Sequence, residues 1–155
     1  MQRRHILETS PIPFAYRISY LANFFTGSVY RQVQSRHGVA RSEFVLVFCL
    51  RLLGELSAQQ VCEITGRPKN SVSRAVNAML ERGYVARDTD PADARRGLLK
   101  LTRRGRELFD AAIPLFHERE AAMLAPLNAR ERETLDRLLA KLVLRDDPWA
   151  DAADE

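Results

Sequence analysis

Cysteine and long apolar segments are both scarce in this sequence. Its longest apolar run, residues 44–50, is far shorter than the ~20 residues of a membrane-spanning helix. Residues 1–13 lack the apolar stretch of a secretory signal. These absences predict a cytoplasmic protein without a membrane partner. In that compartment Cys49 and Cys62, the two cysteines, are expected to be thiols and not a disulfide.

The motifs of common enzyme classes are also missing. The sequence has no Gly-rich phosphate loop and no nucleophile motif. His37 and His117, even together with Glu118 or Glu120, fit no metal-ligand spacing. We therefore predict that the protein is not an enzyme and that it needs no cofactor or metal ion. Sensing of a metal by these histidines stays open as an alternative.

Positive charge is distributed unevenly along the chain. Residues 66–106 contain 11 Lys or Arg and 4 Asp or Glu, a net charge of +7. Residues 107–155 contain 6 Lys or Arg and 12 Asp or Glu, a net charge of −6. A basic segment of this kind indicates a polyanionic partner such as nucleic acid.

Within the basic segment, residues 68–83 have the period of an amphipathic helix. Asn70, Arg74 and Asn77 fall on its polar side, where they are joined by Ser71 and Ser73. Arg can bind guanine through two hydrogen bonds, and Asn can bind adenine in the same way. An ordinary surface helix would also have a polar outer face, so the helix alone does not decide the function. Its apolar side consists of Val72, Ala75, Val76, Met79 and Leu80.

The flanking sequence indicates a helix-turn-helix followed by a β-hairpin. Ser57 and Gln60 have capping-box spacing at the start of a short helix over residues 57–65. Gly66 allows a turn, and Pro68 suits the first position of the next helix. After Gly83, two strand-like runs surround a Pro- and Asp-rich tip. A hairpin that directly follows a helix-turn-helix is a wing.

Residues 56–105 resemble the multiple-antibiotic-resistance regulator (MarR) family of winged-helix transcription factors. The resemblance is carried by SVSRAVNAMLERGYV at 71–85, DPADAR at 90–95 and LKLTRRG at 99–105. Length and helix order agree with this family from about residue 14 to residue 143. The family's wing pattern is matched by Asp93, Arg95, Leu101, Thr102 and Gly105.

The resemblance implies a mainly α fold with a small β-hairpin wing. We expect a single domain over residues 1–145, with a winged helix-turn-helix over 42–102 and dimerisation helices over 14–36 and 103–144. Pro114 should kink or divide the second dimerisation segment. Asn128 and Glu131 have the spacing of another cap. Residues 146–155 are an acidic tail that we expect to be disordered.

The family further implies a homodimer that binds an inverted-repeat operator in double-stranded DNA. Repression relieved by a small aromatic or phenolic acid is the function that we expect. Two alternatives remain: a redox- or metal-sensing member of the same family, and a winged helix that binds only protein. Cys49 and Cys62 fall at apolar helical positions, where thiols are usually buried and unreactive.

The candidate DNA-binding residues have different expected roles. Arg74 and Asn77 are the candidate base readers, and Arg67 and Lys69 are better placed for phosphates. By resemblance to the family, Arg95 should enter the minor groove, oriented by Asp93. The full set is Arg67, Lys69, Asn70, Ser71, Ser73, Arg74, Asn77, Arg87, Asp93, Arg95, Arg96 and Lys100.

Three residues are candidates for an effector pocket. Phe24 and Phe48 would form its wall, and Arg51 would anchor the anion. Arg51 could instead extend to solvent or pair with Glu55 one turn further on.

Overall fold

The computed structural model describes residues 2–89 and 97–144 of the chain. Most of these residues are helical, and a β-hairpin follows the fifth helix, as predicted; a short earlier strand joins it in a small antiparallel sheet. The helices are α1 (Gln2–Thr9), α2 (Pro13–His37), α3 (Arg41–Leu53), α4 (Ala58–Thr65), α5 (Lys69–Glu81), α6 (Arg103–Leu124) and α7 (Ala129–Val143). The strands are β1 (Leu56–Ser57), β2 (Val85–Thr89) and β3 (Gly97–Leu101).

The chain divides into two compact units, residues 1–119 and residues 120–155. The first contains α1 to α5, the sheet and most of α6. In its described part, the second contains the end of α6 and α7. A single domain over residues 1–145 stays a prediction, and the acidic tail lies outside the described residues. None of the described helices has both the length and the apolar character needed to cross a bilayer.

Both predicted capping boxes are present. The Ser57 hydroxyl accepts a hydrogen bond from the Gln60 N–H, and the Gln60 side chain accepts one from the Ser57 N–H. Asn128 and Glu131 make the same reciprocal pair at the start of α7. Because each box satisfies N–H groups that have no partner within the helix, the sequence determines where α4 and α7 begin.

Three local features differ from the expectations. Residues 2–9 form a helix that the sequence patterns had not indicated, and Pro68 is the N-cap of α5 and not its first helical residue. Pro114 lies inside α6, which runs unbroken from Arg103 to Leu124, so the helix is not divided there, and the expected kink stays a prediction. Proline removes only one N–H from the helical hydrogen bonds, and the exposed position of Pro114 leaves the affected turn open to water.

The sheet places β3 between β1 and β2, and both pairings are antiparallel. Leu99 pairs with Leu56 on one side and with Arg87 on the other. Leu99 and Leu101 are buried, whereas Lys100 between them is half-buried, the alternation of a strand with one face on the core. The hairpin tip, residues 90–96, lies outside the described residues.

An aromatic cluster forms the centre of the first unit. The fully buried Phe44 of α3 stacks on Phe116 and Phe109 of α6, with ring centroids 5.0 and 6.2 Å apart. Tyr30 of α2 contacts the rings of Phe44 and Phe116 edge-on. The cluster therefore joins α2 and α6 to the first helix of the winged module.

Each unit also has an exposed apolar surface. In α2, Phe14 is 79% exposed, and Ile18 and Leu21 are each about half exposed. Helix α7 buries none of its side chains, although Leu138 and Leu142 recur on one side of it. Apolar surface of this extent is typical of a protein–protein interface.

Candidate nucleic-acid interface

Helix α5, which we call the reading helix, separates its apolar and polar side chains as the sequence predicts. Val72, Val76 and Met79 are at most 3% exposed and pack into the core. On the other side, Ser71 is half-buried, and four residues are exposed: Asn70, Ser73, Arg74 and Asn77. The fold thus presents the candidate base-reading side chains together on one helical face.

The turn before the reading helix places two cations at its start. Gly66 has a φ of 62°, the left-handed conformation that ends α4. The Pro68 carbonyl accepts hydrogen bonds from the N–H groups of Ser71 and Val72, which begins α5. Lys69 is exposed at this end, and Arg67 is half-buried beside it.

The far end of the reading helix leads directly into the wing. The Tyr84 N–H donates to the Met79 carbonyl and the Gly83 N–H donates to the Leu80 carbonyl, the paired bonds of a Schellman motif. Gly83 has the positive φ of 71° that this motif favours. The chain therefore leaves α5 in a fixed direction and enters β2.

The base of the wing is closed by residues that the family pattern had singled out. The N–H of Thr102 donates to the Tyr84 carbonyl, and its hydroxyl donates to the Gly83 carbonyl. The same hydroxyl accepts from the Gly105 N–H at the start of α6. A Cβ at position 105 would lie only 2.1 Å from the Tyr84 carbonyl oxygen, so only glycine fits there. Thr102 and Gly105 thus join the wing to α6.

The wing strands carry one exposed cation and one paired cation. Arg87 is exposed on β2, and its side chain crosses Gly97, whose missing Cβ would lie 2.9 Å from the Arg87 Cδ. Lys100 on β3 forms an ion pair with Asp88. The hydrogen bond to Asp88 raises the pKa of the Lys100 ammonium group. Three further candidates, Asp93, Arg95 and Arg96, lie outside the described residues.

A cavity of about 320 Å³ lies between α4, α5 and β2. Two of the basic DNA-binding candidates, Lys69 and Arg87, contribute to its wall. Sequence patterns had not indicated this cavity, because it exists only where three elements meet. Its other lining residues are Ala58, Gln59, Cys62, Val72, Ser73 and Val76.

Comparisons with known proteins agree with this architecture. The model of the MarR family matches residues 37–96. The HTH-type transcriptional regulator BilQ of Clostridium symbiosum is 26% identical over 129 residues, which are 83% of this chain and 89% of BilQ. The HTH-type transcriptional repressor NicR of Pseudomonas putida is 30% identical over 105 residues, which are 68% of this chain and 66% of NicR.

This chain belongs to the MarR family. It is a DNA-binding transcriptional regulator of the winged-helix type, in a family of regulators and not of enzymes.

Solved structures of other MarR-family proteins have the same fold. A variant of Escherichia coli MarR complexed with operator DNA superposes with a TM-score of 0.74 at 19% identity, covering 89% of this chain and 97% of that one. BpsR of Bordetella bronchiseptica superposes with a TM-score of 0.71 at 24% identity, covering 83% and 97%. The BpsR structure concerns the regulation of its DNA binding by 6-hydroxynicotinic acid.

In this MarR-family chain, two of the three candidate effector residues lie beside the same ring. Phe48 is 5.9 Å from Phe109 between ring centroids, and the Arg51 guanidinium lies 5.5 Å from the Phe109 centroid. Arg51 faces Asp110 of α6 at 4.0 Å. The expected pairing with Glu55 on the same helix does not form, because α3 ends at Leu53, before Glu55. Phe48 and Arg51, three residues apart on α3, therefore both lie against Phe109 of α6.

Phe24, the third candidate, has different neighbours. The Arg119 guanidinium lies 4.3 Å from the Phe24 ring centroid and donates to the Phe24 carbonyl. The Tyr20 ring stacks on the Phe24 ring, with centroids 6.1 Å apart. Among the aromatic contacts of the described residues, none joins Phe24 to Phe48.

The two thiols occupy different environments. Cys49 is buried in α3, and this burial raises the pKa of its thiol. Cys62 is half-buried and lines the cavity beside the reading helix. Among the described residues, no three His, Cys, Asp or Glu side chains gather closely enough to hold a metal ion.

Proposed function

We propose that this chain is a cytoplasmic, dimeric repressor that binds an inverted-repeat operator and is released from it by a small aromatic acid. The observation that carries the proposal is the reading helix. It exposes Asn70, Arg74 and Asn77 on one face, and these side-chain types recognise base edges in the major groove. The basic residues before and after this helix would bind phosphates.

Dimerisation follows from the surplus apolar surface. The exposed side chains of α2 and α7, such as Phe14 and Leu142, would be covered by a second copy. Two copies related by a twofold axis would present two reading helices, and these reach successive major grooves when they are about 34 Å apart. The operator should therefore be an inverted repeat.

Repression and release by an effector are supported by two relatives. NicR is named a repressor, and 6-hydroxynicotinic acid regulates the DNA binding of BpsR. In this chain, Phe48 offers an apolar wall, and Arg51 offers a guanidinium that is exposed beside it. An aromatic carboxylate at this place would compete with Asp110 for Arg51. An effector that stabilises the arrangement unable to bind the operator by about 1–3 kcal/mol would be sufficient to release the protein from DNA.

The decisive experiment combines duplex selection with a salt titration. Duplexes bound by the full chain are selected from a random pool, and the affinity for the best duplex is measured across salt concentrations. We expect an inverted repeat and a steep fall of log K with log salt, because phosphate contacts displace counterions. Weak, salt-insensitive binding would instead favour a winged helix that binds only protein.

The effector is tested with the selected duplex. Aromatic carboxylates, including 6-hydroxynicotinic acid, are titrated against the complex of the wild-type protein and of Arg51→Gln. Release from the wild type, with a weaker response of the variant, supports the proposed anchor. Equal release of both proteins would show that the effector does not bind at Arg51. The cavity lined by Lys69 and Arg87 would then be the next candidate site. Release only by oxidants or metal ions would favour the sensing alternatives.

A further inference from the structure

Arg82, the residue that ends the reading helix, connects this helix to another part of the fold. Its guanidinium donates to the Gly38 carbonyl at 3.1 Å and to the His37 carbonyl at 3.5 Å. Both carbonyls belong to the C-terminal end of α2. Helix α2 carries the exposed apolar surface described above, so Arg82 links the base-reading element to the helix with the proposed dimer surface.

Glu43 completes this contact. Its carboxylate accepts a hydrogen bond from Arg82 at 3.2 Å and another from the Ala40 N–H at 2.9 Å. The side chains of Arg82 and Glu43 are only 32% and 16% exposed. Because the pair is shielded and each partner has further hydrogen bonds, it holds its geometry better than an ordinary surface ion pair. We call Arg82, Glu43 and the carbonyls of His37 and Gly38 the Arg82 clamp.

The clamp is also fixed from the side of the wing. The Arg82 guanidinium lies 5.1 Å from the centroid of the Tyr84 ring, and the Arg104 guanidinium lies 4.6 Å from the same centroid. Arg104 in addition donates to the Arg82 carbonyl at 3.0 Å. Rotation of the Arg82 side chain away from α2 would therefore also break its contact with the Tyr84 ring at the wing base, while the bond from Arg104 holds the Arg82 backbone against α6.

We propose that Arg82 is a positioning residue for operator recognition, which fixes the orientation of the reading helix relative to α2. Arg82 lies at the C-terminal end of α5, whereas the candidate DNA ligands Lys69 to Asn77 lie toward its other end and middle. A small rotation at the clamp therefore displaces the base-reading side chains. The clamp should affect the recognition of sequence more strongly than the general attraction to DNA. This inference rests on the proposed dimeric DNA reading.

Two single variants and their combination test the clamp. Arg82→Gln removes the charge and the forked donors, and Glu43→Gln removes the charge but keeps an acceptor for the Ala40 N–H. Arg36→Gln is the matched control, since Arg36 lies in the last turn of α2 and its guanidinium donates to Gln32 of its own helix. For each protein we would measure thermal unfolding, affinity for the selected operator, affinity for a random duplex and the salt slope.

A positioning role has a specific signature. Arg82→Gln and Glu43→Gln should each lower operator affinity about tenfold, a typical strength of coupling between distant sites. They should change random-duplex affinity less than about twofold and leave the salt slope unchanged, because no phosphate contact is lost. The double variant should be no worse than either single variant, since both disrupt the same contact. Arg36→Gln should behave as the wild type.

Three results would overturn the inference. A lower unfolding temperature with unchanged operator selectivity would reduce Arg82 to a structural role. Equal losses on operator and random DNA, with a shallower salt slope, would make it a phosphate ligand. Additive effects of the two substitutions would mean that they do not act through one contact. If Arg82→Gln does not fold, Glu43→Gln alone decides. Failure of the wild type to bind any duplex would reject the proposed function itself.

Discussion

At the scale of single residues, Arg74 and Lys69 have different expected roles on the same helix. Arg74→Ala should cost about 1–3 kcal/mol on the operator and relax the preference at one base position, because a bidentate contact is lost. Lys69→Ala should weaken binding to all duplexes alike and reduce the salt slope by about one. Titration of operator and random duplexes measures both effects. If both variants lose equal affinity on the two duplexes, Arg74 is not a base reader.

Gly105 offers a second test at this scale. A methyl group there would meet the Tyr84 carbonyl oxygen at 2.1 Å, so α6 or the wing base would have to move. We expect Gly105→Ala to lower the free energy of unfolding by about 2 kcal/mol or more, as overpacking does. Denaturant unfolding followed by circular dichroism measures this loss.

The control for this substitution is another glycine within a helix. Gly27 lies in α2, and a Cβ there would have no atom within 4 Å. Gly27→Ala should therefore stabilise the chain by up to about 1 kcal/mol through helix propensity. Destabilisation of similar size at both positions would contradict the conclusion that the Tyr84 carbonyl leaves no room for a side chain at position 105.

At the scale of elements, the cap of α4 is the most direct target. Ser57 is 4% exposed, and its hydroxyl accepts from the Gln60 N–H. Ser57→Ala should cost about 0.5–2 kcal/mol of stability. The loss should be accompanied by faster hydrogen exchange at the start of α4, measured by mass spectrometry. Asn128→Ala provides the comparison at α7, and its effect should be confined to that helix.

The elements that could be predicted from sequence are those with local determinants. The side chain of Ser57 caps the start of α4, and the left-handed conformation that glycine favours ends helices at Gly66 and Gly83. The helical period of residues 68–83 indicates which face of α5 is buried. Strand β1 was missed because two residues form a strand only by pairing with β3, far along the chain. Helix α1 was missed as well, and part of its environment is also non-local, since its Leu7 carbonyl accepts a hydrogen bond from Arg17 on α2.

The candidate interface shows the same limit. The polar face of α5 could be predicted, because it depends only on helical spacing. The ion pair of Arg51 with Asp110 and the clamp of Arg82 with Glu43 could not, since each joins residues from separate helices. The family pattern had indicated Thr102 and Gly105 without a reason. The structure supplies one, because the two residues close the wing against α6.

At the scale of the whole molecule, the exposed apolar side of α7 predicts self-association. Leu142 is 55% exposed in the single chain, and a charge there would be buried at the proposed dimer contact. Leu142→Glu should shift the protein from dimer to monomer in analytical ultracentrifugation and weaken operator binding with it. Lys141→Glu, on the adjacent position of the same helix, should leave the dimer intact. A dimer unaffected by Leu142→Glu would exclude this side of α7 from the interface.

The hydrogen bonds between Thr102 and the carbonyls of Gly83 and Tyr84 make the hairpin a self-contained insertion, anchored at its root. Whatever sequence occupies the tip, both ends of the hairpin return to the same place. We therefore expect that residues 90–96 can be exchanged for those of another regulator without disturbing the helices beneath, which would test the minor-groove contact expected of Arg95 separately from the fold.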